Sequence, residues 1–159
     1  MFRELQRKNK ELSVDECISL LKSEKRGVLS VVGDGGYPYG MPMNHWYNED
    51  DGYLYFHSGN VGYRLEMLKK HDKVSYCVFD KGYLVEDDWA YRVKSVILFG
   101  RVEFIEDKDT IIDIVTRLSR TFTDEEGFAK LCEEGKVIEH RSYDTCYGLW
   151  RYFTVNDES

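Results

Sequence analysis

The sequence predicts a mainly β domain, an antiparallel sheet or a small barrel with helices packed on its outside. Strand-like segments rich in Val, Tyr and Phe dominate the middle of the chain. Most of them follow one another through short polar turns such as GDGG at 33–36 and NEDDG at 48–52. Because strands and helices do not alternate regularly, the pattern is not that of a doubly wound β-α-β fold.

The strand-like segments are 26–32, the proline-bearing segment that ends near Tyr47, 53–58, 73–80, 92–105 and 145–155. Apolar spacing predicts helices at about 13–25, 60–71, 107–121 and 124–135. The first of these helices opens with a capping-box pattern, Ser13 followed by Glu16.

The chain is expected to form one domain, residues 1–159, because its length and its hydrophobic content of 42% suit a single core. No repeat or Gly/Ser linker divides it. The core of the domain is expected at about 26–106 together with the final strand at 145–155.

Composition excludes several kinds of partner. A net charge of −7 argues against nucleic acid, since phosphate binding needs clustered Lys and Arg. The sequence has no apolar run long enough for a membrane span. The charged N-terminus, MFRELQRKNKELS, is not that of a signal peptide, so a cytoplasmic location is expected.

Cysteine and histidine spacing predicts neither disulfides nor a metal site. The four cysteines lie far apart without a C-x-x-C pattern, and we expect them to be small buried hydrophobic residues. The four histidines lack the spacing of metal ligands. We therefore expect no bound metal.

The stretch GGYPYGMPMN at 35–44 raises a question about strand pairing. Pro38 and Pro42 have the same parity, so both missing N–H groups lie on one edge of the strand, with Gly40 between them. One interpretation is an edge strand whose prolines block aggregation. The other is a gap in which a flat ligand lies against the backbone.

A second candidate site follows the third strand, in YFHSGNVGYRLEML. Ser58, backbone N–H groups at a helix start and Arg64 together have the chemistry of an anion site for a phosphate. The alternative is a Ser- or Asn-capped helix with a surface arginine.

A third set of polar residues, Arg92, Lys94 and Ser95, begins the long fifth strand. It is either a solvated strand start or a basic site beside a phosphate or a negative ring edge.

The order of several stretches resembles the FMN-binding split-barrel family related to pyridoxamine-phosphate oxidase, and more narrowly its 5-nitroimidazole-resistance-like branch. The resemblance covers about residues 8–120. The stretches that carry it are ELS, GVLSVVGDGGYPYGMPMN, LYFHSGNVGYRLEML, VSYCVF and KSVILFGRVEFIED.

This resemblance implies a six-stranded antiparallel split β-barrel that forms a homodimer with FMN at the subunit interface. It places the backbone of Met41, Pro42, Met43 and Asn44 beside the isoalloxazine ring. It places His57, Ser58 and Arg64 near the flavin and its phosphate, and Lys94 and Ser95 on a strand that contributes to the site. His57 is the candidate catalytic residue, although a histidine that only hydrogen-bonds the ribityl chain fits equally well.

The function expected from the resemblance is an FMN-dependent oxidoreductase that reduces nitro-aromatic or other small electrophiles with electrons from NADH or NADPH. A non-catalytic flavin-binding or redox-sensing module is the first alternative. A split barrel that binds another cofactor, such as haem or a deazaflavin, is the second.

Overall fold

The structure, a computed structural model, describes residues 6–86, 89–133, 144–149 and 153–158. Within these ranges one antiparallel sheet of nine strands is accompanied by helices. The strands are β1 Arg26–Val32, β2 Pro38–Asn44, β3 Trp46–Tyr47, β4 Leu54–Gly59, β5 Lys73–Phe79, β6 Tyr83–Leu84, β7 Tyr91–Ile105, β8 Asp144–Leu149 and β9 Phe153–Glu158. The α-helices are α1 Val14–Ser23, α2 Tyr63–Lys70, α3 Lys108–Arg120 and α4 Glu125–Glu133.

The sheet differs from the expected six strands because two predicted strands are broken and one short strand was missed. The second predicted strand divides into β2 and β3 at His45, and the last divides into β8 and β9. The missed strand is β6, a two-residue strand that pairs with the start of β7.

The sheet curves back on itself. Its hydrogen-bonded path runs β2-β1-β5-β7-β8-β4-β3, with β6 and β9 paired to β7 off this path. The two ends of the path, β2 and β3, are separated in the chain by His45 alone. The open edge of β2 therefore comes close to the strand that pairs with β3.

The prediction that the prolines lie on one open edge of β2 is confirmed. Next to the β1–β2 pairing, the N–H of Gly33 donates to the carbonyl of Tyr37 at 2.7 Å. Odd-numbered residues of β2 therefore bond to β1, and the even-numbered Pro38 and Pro42 face away from it. On that far side, no strand of the described ranges is hydrogen-bonded to β2.

Alternation along the strands separates a core face from an outer face. On β5, for example, Val74, Tyr76 and Val78 are buried, whereas Ser75 and Phe79 belong to the outer face. Helix α1 contributes to the same core through three buried residues on one side, Cys17, Leu20 and Leu21.

Helix α1 begins as predicted. Ser13 is its N-cap, and the capping box with Glu16 is complete. Of the four cysteines, Cys17 is buried as expected and Cys77 is half-buried, both with free thiols. The side chains of Cys132 and Cys146 lie outside the described part of the structure. Among the described helices, none is both long and apolar enough to cross a membrane.

Candidate functional site

A gap opens where β2 and β4 part. Strands β3 and β4 pair with Trp46 opposite Tyr55, and this pairing stops at His45. Extended by two residues, the same register would place Asn44 opposite His57. Instead β2 pairs with β1 on one side and β4 pairs with β8 on the other, while β2 and β4 remain close.

This gap brings together two groups of residues that the sequence analysis named separately. Pro42, Met43 and Asn44 stand on its β2 side, and His57 and Ser58 stand on its β4 side. The proline edge of β2 and the end of β4 thus lie at the same gap. They meet there because the pairing of β3 with β4 stops at His45 and does not continue into β2.

The β2 side of the gap offers backbone groups. His45 N–H donates to the carbonyl of Lys25 at 3.1 Å, so His45 faces β1 and the preceding Asn44 directs its N–H and C=O into the gap. Pro42 faces the gap too, but it contributes only a carbonyl. The side-chain amide oxygen of Asn44 accepts a hydrogen bond from Arg26 Nε of β1 at 2.9 Å. This bond fixes the Asn44 side chain.

The side chains of Met41 and Met43 do not reach this edge. They are 2% and 5% exposed and belong to the core. The N–H and C=O groups of both methionines are directed toward β1, so the polar backbone groups that face the gap belong to Pro42 and Asn44.

The β4 side of the gap leads into a helix start without a side-chain cap. Gly62 is the N-cap of α2, with φ 115°, and no side chain accepts from the first helical N–H groups. The alternative of a Ser- or Asn-capped helix is therefore wrong. Ser58 Oγ donates to the carbonyl of Gly59 at 3.1 Å. At both Gly59 and Gly62 an added Cβ would meet nothing within 4 Å, so there is open space in front of the helix.

Arg64 adds a positive charge to this helix start. Its Nε is buried and has no hydrogen-bond partner among the described residues. Uncapped N–H groups, the helix dipole and a guanidinium together form a site suited to an anion.

Helix α2 is held rigidly beside the β1–β2 turn. Asp34 N–H donates to the Tyr63 hydroxyl at 2.8 Å, and Lys70 Nζ lies 3.2 Å from Asp34 Oδ1. The rings of Tyr39 and Tyr63 meet edge to face at 4.8 Å between centroids. These contacts fix the start of α2 relative to the β1–β2 turn and to β2.

Ser95 and Lys94, which are adjacent on β7, project from opposite faces of the sheet. Ser95 of β7 pairs with Phe79 of β5. The register of β1 and β5, extended by two residues, places Phe79 beside Arg26 of β1, and Arg26 pairs with Asn44 of β2. These residues therefore form one row across the four strands. Ser95 thus shares the outer face of Asn44, three strand spacings or about 14 Å away.

Lys94 points toward α1 instead. Its Nζ lies 3.3 Å from Glu16 Oε1, and its backbone N–H donates to Asp80 Oδ1 at 3.1 Å. The structure therefore brings Ser95 to the face of the gap and does not bring Lys94 there. Lys94 is two residues from the buried Val96 and therefore points to the same face of β7, which is the core face.

Two features of this region were missed by the sequence analysis. A cavity of about 760 Å³ lies on the outer face, with Ser30, Val32, Pro38, Ser75 and Phe99 in its lining. Its signal in the sequence is the run of small and apolar residues at outward positions of β1, where a solvated face would carry charges.

The other missed feature is His45, at the break between β2 and β3. It is 1% exposed, and burial lowers its pKa to about 4, although the hydrogen bond to the Leu21 carbonyl opposes this shift. Within the described part of the chain, no three His, Cys, Asp or Glu side chains are grouped as metal ligands.

The chain matches a protein-family model. The model described as pyridoxamine 5'-phosphate oxidase matches residues 13–140. This match confirms the family resemblance of the sequence. Among curated proteins, none matches the chain.

Several solved structures have a similar fold. A 5-nitroimidazole antibiotic resistance protein of Bacteroides thetaiotaomicron is 22% identical and superposes with a TM-score of 0.72, covering 92% of this chain and 88% of that one. A FAD-binding protein of Mesorhizobium loti is 22% identical, with a TM-score of 0.63 and coverage of 94% and 98%. A FAD and haem binding protein of Mycobacterium smegmatis is 16% identical, with a TM-score of 0.72 and coverage of 92% and 72%. At these identities the likeness shows the fold alone.

Proposed function

The chain belongs to the pyridoxamine 5'-phosphate oxidase family, and we propose that it is an FMN-binding oxidoreductase that reduces small electrophiles. The observation that carries this proposal is the gap between β2 and β4. Backbone polar groups line one side of the gap, and an uncapped helix start with a cation lies at its end.

The described residues fit a flavin with a phosphate tail. Ser58, Arg64 and the first N–H groups of α2 would hold the phosphate, because the buried Nε of Arg64 lacks a partner there and open space lies before the helix. The N–H and C=O of Asn44 and the carbonyl of Pro42 would face the edge of the ring, where flavins carry both donors and acceptors. Ser95 lies on the same outer face.

A bound flavin supplies the hydride or electron transfer, and the protein orients it and shields it from water. His57, half-buried on β4 at the gap, would donate a proton to a substrate bound there. An electron donor such as NADH or NADPH would visit the same gap, because the sequence contains no dinucleotide-binding fingerprint.

We also propose the finer fold and assembly implied by the resemblance. The meeting of β2 and β3 at His45 supports a split barrel, since the sheet path returns to its starting segment. Exposed apolar residues support a homodimer with FMN at the interface. They include Val32, Phe79, Tyr83, Leu84, Trp89 and Tyr91. The cytoplasmic location expected from the sequence stays a prediction.

Two other functions have some support. A flavin-binding module without turnover uses the same gap and differs only in lacking a reaction. A different cofactor is favoured by the fold shared with a FAD and haem binding protein. Against haem, His45 is committed to protein hydrogen bonds, and His71 lies on an exposed position beside α2.

The proposal is tested by titrating purified protein with FMN and following flavin fluorescence. We expect one FMN per chain. Arg64→Ala should raise the dissociation constant at least tenfold, since a hydrogen bond to a charged group contributes about 1.5–3 kcal/mol. Lys69→Ala, an exposed cation in the last turn of the same helix, is the matched control and should leave affinity nearly unchanged.

Protein that takes up no FMN would refute flavin binding. Equal losses for Arg64→Ala and Lys69→Ala would move the phosphate away from the start of α2. Anaerobic mixing of the loaded protein with NADH or NADPH then distinguishes enzyme from module, because a flavin that never bleaches indicates a module.

A further inference from the structure

A buried chain of hydrogen bonds lies beneath the open edge of β2. His45 Nε2 is 2.8 Å from the carbonyl of Leu21 in α1, and His45 Nδ1 is 2.8 Å from the hydroxyl of Tyr76 in β5. The same hydroxyl lies 3.0 Å from the carbonyl of Met43. His45 is 1% exposed and Tyr76 is fully buried, so water does not compete for these groups.

Proton counting shows how this chain is connected. A carbonyl can only accept, so the bond to Leu21 places the proton of the neutral imidazole on Nε2. Nδ1 is then an acceptor. The single proton of the Tyr76 hydroxyl is shared between Nδ1 and the Met43 carbonyl, which couples the imidazole ring to the backbone of β2.

A glycine makes room for this arrangement. At Gly27 of β1, an added Cβ would lie 2.7 Å from Cζ and 2.9 Å from the hydroxyl oxygen of Tyr76. It would also lie 2.4 Å from the Cys77 carbonyl oxygen. Gly27 pairs with Met43, so the tyrosine ring reaches the Met43 carbonyl only because this position of β1 has no side chain.

The consequence falls on Asn44. On one side of Asn44 in the chain, the Met43 carbonyl accepts from the Tyr76 hydroxyl. On the other side, the His45 N–H donates to the Lys25 carbonyl at 3.1 Å. Asn44 lies between these two anchors and must present its own N–H and C=O to the gap.

We propose that His45 and Tyr76 are positioning residues, which hold the Met43–His45 backbone so that the polar groups of Asn44 meet the flavin ring. This inference rests on the proposed flavin site and adds the residues that set its geometry. Neither side chain touches the gap. Both act through the carbonyl of Met43 and the break between β2 and β3.

The test compares Tyr76→Phe with Val78→Ala. The first removes one hydroxyl and keeps the ring, and the second removes two methyl groups from a fully buried residue of the same strand that has no part in the chain. Three quantities are measured: stability without flavin, the dissociation constant for FMN, and hydrogen exchange of the His45 amide. Tyr76→Phe should raise the dissociation constant about tenfold and speed exchange of that amide. Val78→Ala should lose stability while its FMN affinity stays within about twofold.

A second pair of variants, at His45, distinguishes loss of the hydrogen bonds from general misfolding. His45→Gln keeps a donor for Leu21 and an acceptor for Tyr76, whereas His45→Leu has neither. We expect FMN affinity and the visible spectrum of the bound flavin to be largely restored in His45→Gln and altered in His45→Leu.

Equal FMN affinity for Tyr76→Phe and Val78→Ala at similar stability would overturn the inference, as would equal behaviour of the two His45 variants. In both cases the wild-type protein still binds flavin, so the proposed function stands. Wild-type protein that binds no FMN would refute the proposed function and the inference with it.

Discussion

Among single residues, His45 shows how burial turns a titratable side chain into a structural one. An exposed imidazole takes up a proton in acid. The His45 ring lies beside the Phe56 and Tyr76 rings, where water cannot solvate the charged form, so protonation is disfavoured. The neutral ring is therefore the form that the folded protein keeps at neutral pH.

This burial predicts a loss of stability in mild acid. The pKa of His45 is lowered from 6.5 to about 4 on folding, so the unfolded chain takes up a proton before the folded protein does. Stability from this residue is complete above about pH 6.5 and is lost as the pH falls toward 4. We expect a loss of about 2 kcal/mol between pH 7 and pH 5, measured by urea unfolding.

His45→Gln is the control for this loss, because its amide does not titrate and the pH dependence should become shallower. The same slope in both proteins would exclude His45 as the cause. Two carboxyl groups, those of Glu16 and Asp107, have lowered pKa values and therefore affect stability at a lower pH than His45 does. Hydrogen bonds from Ser13 lower the pKa of Glu16, and hydrogen bonds from Thr110 lower that of Asp107.

Among the elements, β1 and β2 show two different uses of residues without ordinary side chains. In β2 the prolines remove N–H groups from the edge that faces the gap, which prevents that edge from pairing with another strand. In β1 a glycine removes a side chain so that a tyrosine from β5 can cross beneath it.

Gly27→Ala should therefore destabilise the protein strongly. Its Cβ would meet a backbone oxygen at 2.4 Å and an aromatic ring at 2.7 Å, neither of which can move without disturbing β5. We expect a cost of about 3 kcal/mol in the free energy of unfolding, at the upper end of ordinary overpacking. Gly59→Ala in β4 is the matched control, since its Cβ would meet nothing within 4 Å, and it should change stability by less than about 0.5 kcal/mol. Equal effects of the two substitutions would contradict the close approach of Tyr76 to β1.

For the whole molecule, the outer face of the sheet is the surface that we propose to form the dimer interface. Phe79 is 53% exposed in the row that joins Asn44 to Ser95, and Val32 is 46% exposed at the mouth of the cavity. Covering these apolar residues with a second copy of the chain would remove them from water and stabilise the proposed dimer.

We predict that sedimentation equilibrium will give twice the chain mass of 18.8 kDa. Phe79→Glu should shift the protein toward monomer and weaken FMN binding, because it places a charge within the proposed interface. Ile112→Glu, on α3 with 39% exposure, should leave both unchanged. A wild-type monomer at micromolar concentration would contradict the dimer.

The features that could be predicted from the sequence alone are those that depend on neighbours in the chain. The four predicted helices, the boundaries of β1 and the capping box of α1 follow from periodicity and local capping, and the structure confirms them to within a few residues. The proline edge belongs to the same class, because the parity of Pro38 and Pro42 is a property of any extended strand.

Which of these local features come together could not be predicted from the sequence, because it depends on contacts between distant segments. At the break, His45 is hydrogen-bonded to Tyr76 and Leu21, which are distant in the chain, and no local pattern marks these contacts. Likewise, the family resemblance names Lys94 and Ser95 together, but Lys94 points to α1, because the core lies on that side of β7. Periodicity shows that neighbouring side chains of a strand point to opposite faces, but the packing of remote segments decides which face is the core. The same packing produces the gap between β2 and β4 and leaves one edge of β2 unpaired among the described strands.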